Sequence, residues 1–220
     1  MSKKVSRNSK PASEAVECSL MLMDVSGFTQ LLYHASNKGE VLRIVASSME
    51  RFFQHAADTA ISSEGVTIIN TTGDGFIAIA SGATPSRTAV EFSQRIRDQF
   101  DKYVAPAIHS VPFRQRVDLR IALHHGIVHR IDIKGLTAGD HPVFIGDDIN
   151  LVARVINSQV ARRYGMAITR PFFRRLMLTK GDPPPADEVI LDRNRYPEQI
   201  EVYRLPLRIT ELKKNARKHS

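Results

Sequence analysis

The chain has 220 residues, 42% hydrophobic and 25% charged, as expected for a globular protein with one sizeable core. Its single cysteine, Cys18, excludes a disulfide framework, and no apolar run reaches the roughly 18 residues of a membrane-spanning helix. Seven of the eight net positive charges lie in residues 1–13 and 211–220, so we expect neither membrane insertion nor nucleic-acid binding. We expect a cytoplasmic protein with one domain over residues 18–207, between flexible basic tails at 1–17 and 208–220.

The first half of the chain predicts strands alternating with helices. Residues 20–23 form an apolar run typical of a buried strand, and a helix is expected to begin near Phe28. Apolar residues at helical spacing predict a long helix over residues 40–63. Residues 66–70 and 76–80 are joined by Thr-Thr-Gly-Asp-Gly, which is typical of a β-hairpin.

The second half continues the same pattern. Pro85 follows Thr84, which predicts a capped helix that runs to about residue 104. Residues 117–123 and 127–133 predict a strand pair that turns at His124-His125-Gly126. The remaining predictions are a helix at 148–164, a strand at 166–169, a helix at 171–178, a loop at 181–187 and strands at 188–191 and 199–205. This order predicts an α/β fold (an α+β sandwich) with helices packed on a mixed sheet.

Two aspartates stand at the ends of apolar runs. Asp24 in LMLMDVSGFTQLL follows the first strand, and Asp74 in IINTTGDGFIAIA lies at the hairpin tip. An ionised carboxylate beside an apolar strand is costly unless a partner or a metal compensates it. Hard oxygen ligands of this kind hold divalent cations in phosphate chemistry. The pair therefore indicates a metal site, while the alternative is an N-cap and a turn aspartate, both common.

Four motifs in order resemble the catalytic domain of class III nucleotide cyclases. They are DVSGFT, TTGDGF, LRIALHHGIVH and IGDDINLVARV, and the resemblance covers roughly residues 18–205. It implies a homodimer with two composite active sites at the interface. The implied reaction converts a nucleoside triphosphate to its 3′,5′-cyclic monophosphate and pyrophosphate.

The resemblance also implies roles for residues of the phosphate site. Asp24 and Asp74, with the carbonyl of Val25, would hold two divalent cations, Mg²⁺ or Mn²⁺. The turn that follows opens a helix, where backbone N–H groups can bind phosphate oxygens. The residues expected there are Gly27, Phe28 and Thr29.

Three further residues complete the set that the resemblance implies. Arg120 corresponds to an arginine that contacts the triphosphate. Asn150 and Arg154, four residues apart on one helix, would come from the partner protomer. Asn150 would position the ribose, and Arg154 would stabilise charge on the five-coordinate phosphorus.

Two positions depart from the adenylate and guanylate cyclase pattern. Adenylate cyclases read adenine with a lysine and an aspartate where this chain has Asn70 and Val143, and the glutamate usual in guanylate cyclases is also absent. An asparagine donates and accepts at once, which suits a pyrimidine edge, whereas valine offers only shape. Such pockets resemble the pyrimidine cyclases of Pycsar anti-phage systems, which make cyclic UMP or cyclic CMP for a separate effector.

We therefore interpret the chain as a cyclase for UTP or CTP that acts in anti-phage signalling. One alternative is an adenylate cyclase with an atypical base pocket. The other is a catalytically silent cyclase-like domain that binds nucleotide or dimerises. His124, His125 and His129 invite a metal interpretation, but they follow a strand rather than lie on a zinc-binding helix, and we favour packing at a turn.

Overall fold

One long strand organises the sheet. The computed structural model describes residues 13–113, 117–132, 142–177, 187–189 and 200–204, and β1 covers Ser13–Ser26. This strand begins well before residue 20, where the prediction placed it, so residues 13–17, expected in the basic tail, belong to the sheet. Polar Glu14 and Glu17 concealed the extension from the hydrophobic pattern, but pairing with a neighbouring strand keeps this segment extended.

The other elements confirm the predicted fold class. In chain order they are α1 (Phe28–Ala35), α2 (Gly39–Ile61), β2 (Val66–Thr71), β3 (Gly75–Ala80), α3 (Pro85–Gln99), a π-helical turn (Phe100–Val104), α4 (Ala105–His109), β4 (Asp118–Ile131), β5 (Val143–Ile145), α5 (Asp147–Val155), α6 (Gln159–Tyr164), β6 (Met166–Thr169), α7 (Arg170–Met177), β7 (Asp187–Val189) and β8 (Ile200–Arg204). The sheet order is β2-β3-β1-β4-β6-β8-β7, with β5 paired to β4. Neighbouring strands are antiparallel except β4 and β6, so the sheet is mixed as predicted.

Helices cover both faces of the sheet, and the alternation of β1 decides which side chains face which layer. Met21 and Met23 point into a core formed with α2 and α3. Leu20 and Leu22 point the other way, into a core formed with α5 and α6. Asp24 continues the second series, so its carboxylate lies on the α5 side where β1 ends.

The predicted turn at His124-His125-Gly126 is wrong. These residues lie inside β4, which pairs with β1 from Asp118 to Ile131 without a register shift. Histidine and glycine suggested a turn because their local preferences are weak for strand. Fourteen residues of continuous pairing with β1 override that preference.

Two predicted helices are interrupted. The helix expected from Pro85 to residue 104 ends at Gln99 and continues as the π-helical turn. The helix expected over 148–164 is broken between α5 and α6. Ser158 caps α6, because its hydroxyl oxygen accepts the N–H of Ala161 at 3.2 Å. A serine in an apparently continuous helical pattern therefore marks a new helix start.

The hairpin of β2 and β3 is confirmed, and β8 lies within the last predicted strand. The strand β7 begins at Asp187, one residue before the predicted start, so Asp187 belongs to the sheet and not to the loop that was predicted to include it. The loop at 181–186, most of the basic N-terminal tail and the tail at 208–220 lie outside the described residues. Among the described residues, no helix combines the length and apolar character that crossing a bilayer requires.

Candidate active site

The β2–β3 hairpin carries Asp74 to the end of β1. The N–H of Val25 donates to the carbonyl oxygen of Asp74 at 3.2 Å, and Asp24 pairs with Gly75 across the strands. Gly73 adopts a φ of 88°, the left-handed conformation that glycine adopts without strain. The structure therefore brings together the two aspartates that the sequence predicted as metal ligands.

Gly75 permits the close approach of β3 to β1. A Cβ atom at this position would lie 1.9 Å from the carbonyl oxygen of Met23, far inside van der Waals contact. Any side chain here would push the hairpin away from β1 and separate Asp74 from Asp24. Both glycines of the Thr-Thr-Gly-Asp-Gly segment thus serve the site, one through the turn and the other through the approach.

Charge at this end of the sheet is partly balanced. Arg120 lies opposite Asp24 in the register of β4, and its guanidinium donates to the Asp24 carboxylate, with Nε 3.1 Å from Oδ2 and Nη2 as a second donor. Burial raises the pKa of Asp74, and the negative charge of Asp24 raises it further. The cluster therefore holds two crowded carboxylates and one arginine.

The donor set fits a hard divalent cation. Carboxylate and carbonyl oxygens are the ligands that Mg²⁺ takes, usually completed by water and substrate phosphates. Among the described residues, no group of three or more histidines, cysteines or acidic residues could hold a metal alone. A metal between Asp24 and Asp74 would therefore depend on backbone oxygens or on a bound phosphate for further ligands.

The start of α1 contributes backbone rather than side chains. Gly27 has a φ of 79° and precedes α1, whose first turn has no side-chain cap. The first N–H groups of a helix lack intrahelical partners, so those of Phe28 and Thr29 can bind an anion. The side chain of Phe28 packs against the core, and that of Val25 is fully buried. Val25 as a metal ligand, through its carbonyl, stays a prediction.

Asn150 and Arg154 lie on α5. The start of this helix is attached to the sheet at some distance from the cluster of Asp24, Asp74 and Arg120. Asn150 is exposed, and Arg154 is half-buried. The start of α5 is attached to β4, because the N–H of Ile127 donates to Asp148 Oδ2 at 2.7 Å. Ile127 is seven residues from Arg120, roughly 23 Å along an extended strand. One chain therefore does not bring the start of α5 to Asp24.

The two predicted base-reading residues are also separated in one chain. Asn70 is exposed beside a β-bulge in β2, and its Oδ1 accepts the N–H of Thr71 at 2.8 Å. Val143 is half-buried and pairs with Ile131, the last residue of β4. Asn70 lies across the sheet from Ala122, through Ile77 and Leu22, and Ala122 is nine residues from Ile131, roughly 30 Å along β4. Their roles stay predictions.

Two of the three histidines are held by hydrogen bonds to other side chains. His124 contacts Thr169 and Asp148, and His125 contacts Glu17 at 3.0 Å. This agrees with packing rather than metal binding, although the packing occurs within a strand. Sequence reasoning missed Asp148 and Thr169 because both are distant from His124 along the chain. The unusual pair Asp147-Asp148 at a helix start was the one available signal.

The chain matches the family described as the adenylate and guanylate cyclase catalytic domain over residues 11–177. It therefore belongs to that family and is a nucleotidyl cyclase catalytic domain. This confirms the coarser part of the sequence interpretation. A comparison with curated protein sequences finds no match.

Solved cyclase structures share the fold. The guanylyl cyclase Cya2 is 16% identical with a TM-score of 0.66, covering 87% of this chain and 92% of its own. The adenylyl cyclase CyaB from P. aeruginosa is 13% identical with a TM-score of 0.66, covering 87% and 94%. The guanylyl cyclase domain of the RhoGC fusion protein from Blastocladiella emersonii, solved as a non-canonical dimer, is 16% identical with a TM-score of 0.58, covering 86% and 95%. Such low identity carries the fold but not the substrate.

Proposed function

We propose that the protein is an active nucleotidyl cyclase whose substrate is a pyrimidine nucleoside triphosphate, UTP or CTP. The ribose 3′-hydroxyl loses its proton to solvent and its oxygen attacks the α-phosphorus, the bond from that phosphorus to the bridging oxygen breaks, and pyrophosphate leaves. The observation that carries the cyclase activity in this proposal is the meeting of Asp24, Asp74 and Arg120 at the end of β1.

Asp24 and Asp74 would hold two Mg²⁺ or Mn²⁺ ions. When bound, such ions lower the pKa of a hydroxyl nucleophile and neutralise the departing phosphate. The chain's own groups bind the rest of the triphosphate. The N–H groups at the start of α1 bind phosphate oxygens, and Arg120 supplies a fixed positive charge next to them.

The second half of each site comes from a second copy of the chain. Its Asn150 would orient the ribose, and its Arg154 would stabilise charge on the five-coordinate phosphorus. Support comes from β4, since the start of α5 is attached roughly 23 Å along the strand from Arg120. A two-fold dimer presents both halves twice, which gives two equivalent sites.

Pyrimidine preference rests on the base-reading positions. Asn70 is short and exposed, and with Oδ1 occupied by the Thr71 N–H its amide hydrogens remain to donate to a base oxygen or ring nitrogen. Val143 supplies no hydrogen bond. Neither residue reproduces the purine-reading pair of adenylate cyclases. By the same resemblance to Pycsar cyclases, the cyclic product would signal to a separate effector in anti-phage defence.

The substrate test uses purified protein with Mn²⁺ and each of ATP, GTP, CTP and UTP, with products resolved by chromatography. Cyclic UMP or cyclic CMP as the main product supports the proposal. Cyclic AMP as the sole product identifies an atypical adenylate cyclase, and no product from any substrate identifies a silent domain. A rise in the same cyclic nucleotide during phage infection would support the defence role, and an unchanged level would contradict it.

The shared site is tested by mixing two inactive variants, Asp74→Ala and Arg154→Ala. Subunit exchange makes half of the dimers mixed, and each mixed dimer has one intact site. Activity should therefore recover to about a quarter of the wild-type value. No recovery, with exchange confirmed by mass labelling of the subunits, would overturn the shared site.

A further inference from the structure

A hydrogen-bonded bridge joins the middle of the sheet to the start of α5. His124 on β4 is only 3% exposed, and its two ring nitrogens contact different elements. Nδ1 lies 2.8 Å from the hydroxyl oxygen of Thr169 on β6, and Nε2 lies 2.9 Å from Asp148 Oδ1 on α5. Asp148 Oδ2 accepts the N–H of Ile127 at 2.7 Å. We call this set of four residues the α5 bridge.

The donors and acceptors of the α5 bridge match one another. The hydrogen bond from His124 lowers the pKa of Asp148, so this carboxylate is ionised near neutral pH and can only accept. Nε2 of His124 must then carry a proton and donate it. In the neutral imidazole, Nδ1 accepts from the hydroxyl of Thr169. Both carboxylate oxygens are thus engaged, which fixes the orientation as well as the position of Asp148.

Gly126 provides the space in which the Asp148 carboxylate sits. A Cβ atom at this position would lie 2.1 Å from Asp148 Oδ2. An alanine here would therefore force the carboxylate off the strand while leaving every polar group of the α5 bridge in the chain. Gly126 and Asp148 are 22 residues apart, and the Asp148 carboxylate can keep its position only if residue 126 has no side chain.

We propose that the α5 bridge fixes the position of α5, so that Asn150 and Arg154 enter the composite site of the partner protomer in the correct orientation. Asp148 precedes Asn150 by two residues and Arg154 by six, on a helix that rises about 1.5 Å per residue. Any slide or rotation at Asp148 therefore reaches both side chains. This inference rests on the shared site proposed above, and it assigns His124 and Asp148 as positioning residues.

The core contacts of α5 separate positioning from folding. Val152 and Val155 are fully buried against the sheet, and they remain when the α5 bridge is broken. The helix is therefore expected to stay packed but lose its fixed start. Misplacement of reacting groups by about 1 Å costs on the order of 10² in rate.

The first experiment compares Asp148→Asn and Gly126→Ala with the control Asp147→Asn. The control removes the same charge from the same helical turn, but Asp147 is exposed and lies outside the α5 bridge. Both test variants should lower kcat by about 10- to 100-fold with KM for the nucleotide within about threefold, since the phosphate site is built by other elements. The control should keep kcat within twofold.

The second experiment asks which half of the site is damaged. When Asp148→Asn is mixed with Asp74→Ala, one site of each mixed dimer combines the intact metal half of the Asp148→Asn subunit with the intact α5 of the Asp74→Ala subunit. Activity should therefore recover. Mixed with Arg154→Ala, both subunits have a defective α5, so no recovery should occur. A general loss of stability would not produce this asymmetry. If Asp148→Asn does not fold, Gly126→Ala gives the same two comparisons.

Two results would overturn the inference. One is kcat values for both test variants within twofold of the Asp147→Asn control. The other is recovery with Arg154→Ala that equals the recovery with Asp74→Ala. Failure of the Asp74→Ala and Arg154→Ala pair to recover together would instead overturn the shared site itself, so the two proposals are distinguished.

Discussion

Replacing Gly75 by alanine tests the contact that joins the two halves of the metal site. The new Cβ would lie 1.9 Å from the carbonyl oxygen of Met23, whereas ordinary van der Waals contact begins at 3.4 Å. The strands must therefore separate by about 1.5 Å at this point. That separation moves Asp74 away from Asp24, because the hairpin carries Asp74 immediately before Gly75.

The expected size of the effect follows from this displacement. Overpacking of a well-packed site costs about 1–3 kcal/mol of unfolding free energy. For a chain of this length each kcal/mol lowers Tm by roughly 2–4 °C, so about 2 kcal/mol gives roughly 4–8 °C. Displacement of a catalytic group by more than 1 Å costs on the order of 10² in turnover. Turnover should therefore fall far more than stability alone explains.

Gly39→Ala is the matched control. Gly39 begins α2, and a Cβ built there meets no atom within 4 Å. Its Tm and turnover should equal or slightly exceed those of the wild type, because alanine favours a helix over glycine. Thermal unfolding and cyclic-nucleotide formation are measured on all three proteins. A Gly75→Ala protein that matched Gly39→Ala in both would refute the close approach of β3 to β1.

Three further predictions concern the metal site, the base-reading positions and a helix cap. Burial and the charge of Asp24 raise the pKa of Asp74, so the ionised carboxylate lowers the stability of the folded protein above that pKa. Asp74→Asn should therefore raise Tm at pH 7, while turnover falls at least about 10²-fold. An unchanged or lower Tm contradicts this. Asn70→Lys with Val143→Asp should raise ATP use relative to UTP and CTP in competition assays, and no gain counts against the base-reading assignment. Ser158→Ala should lower stability by about 1 kcal/mol, seen in chemical denaturation, with turnover per folded molecule unchanged.

The hairpin and its aspartate were predictable because their signals are local. Gly73 and Gly75 flank Asp74, and the turn chemistry that places them is contained in five consecutive residues. Asp24 was predictable for the same reason, since an apolar strand leads directly into it. The family resemblance then related these motifs to one another, because all four occur in the order found in class III cyclases. Composition and spacing alone do not supply that relation.

The errors arose where distant pairing decides local structure. His125 and Gly126 have the composition of a turn, yet pairing with Ser19 and Cys18 of β1 holds them in a strand. The early start of β1 was missed because its first residues are polar and exposed, a composition that also fits an unstructured tail. The α5 bridge joins His124 to Asp148 across 24 residues, a contact that no sequence pattern on either side specifies.

The length of β4 has a consequence for how the protein can vary. This strand carries Arg120 near one end and the attachment point of α5 near the other, so its residue count sets the distance between the metal half that the chain gives to one site and the α5 half that it gives to the other. One inserted residue between them would add about 3.3 Å and turn each later side chain to the opposite face. In a two-fold dimer the error would enter both catalytic centres at once. The length of β4 therefore affects the geometry of both sites and not only the stability of the sheet.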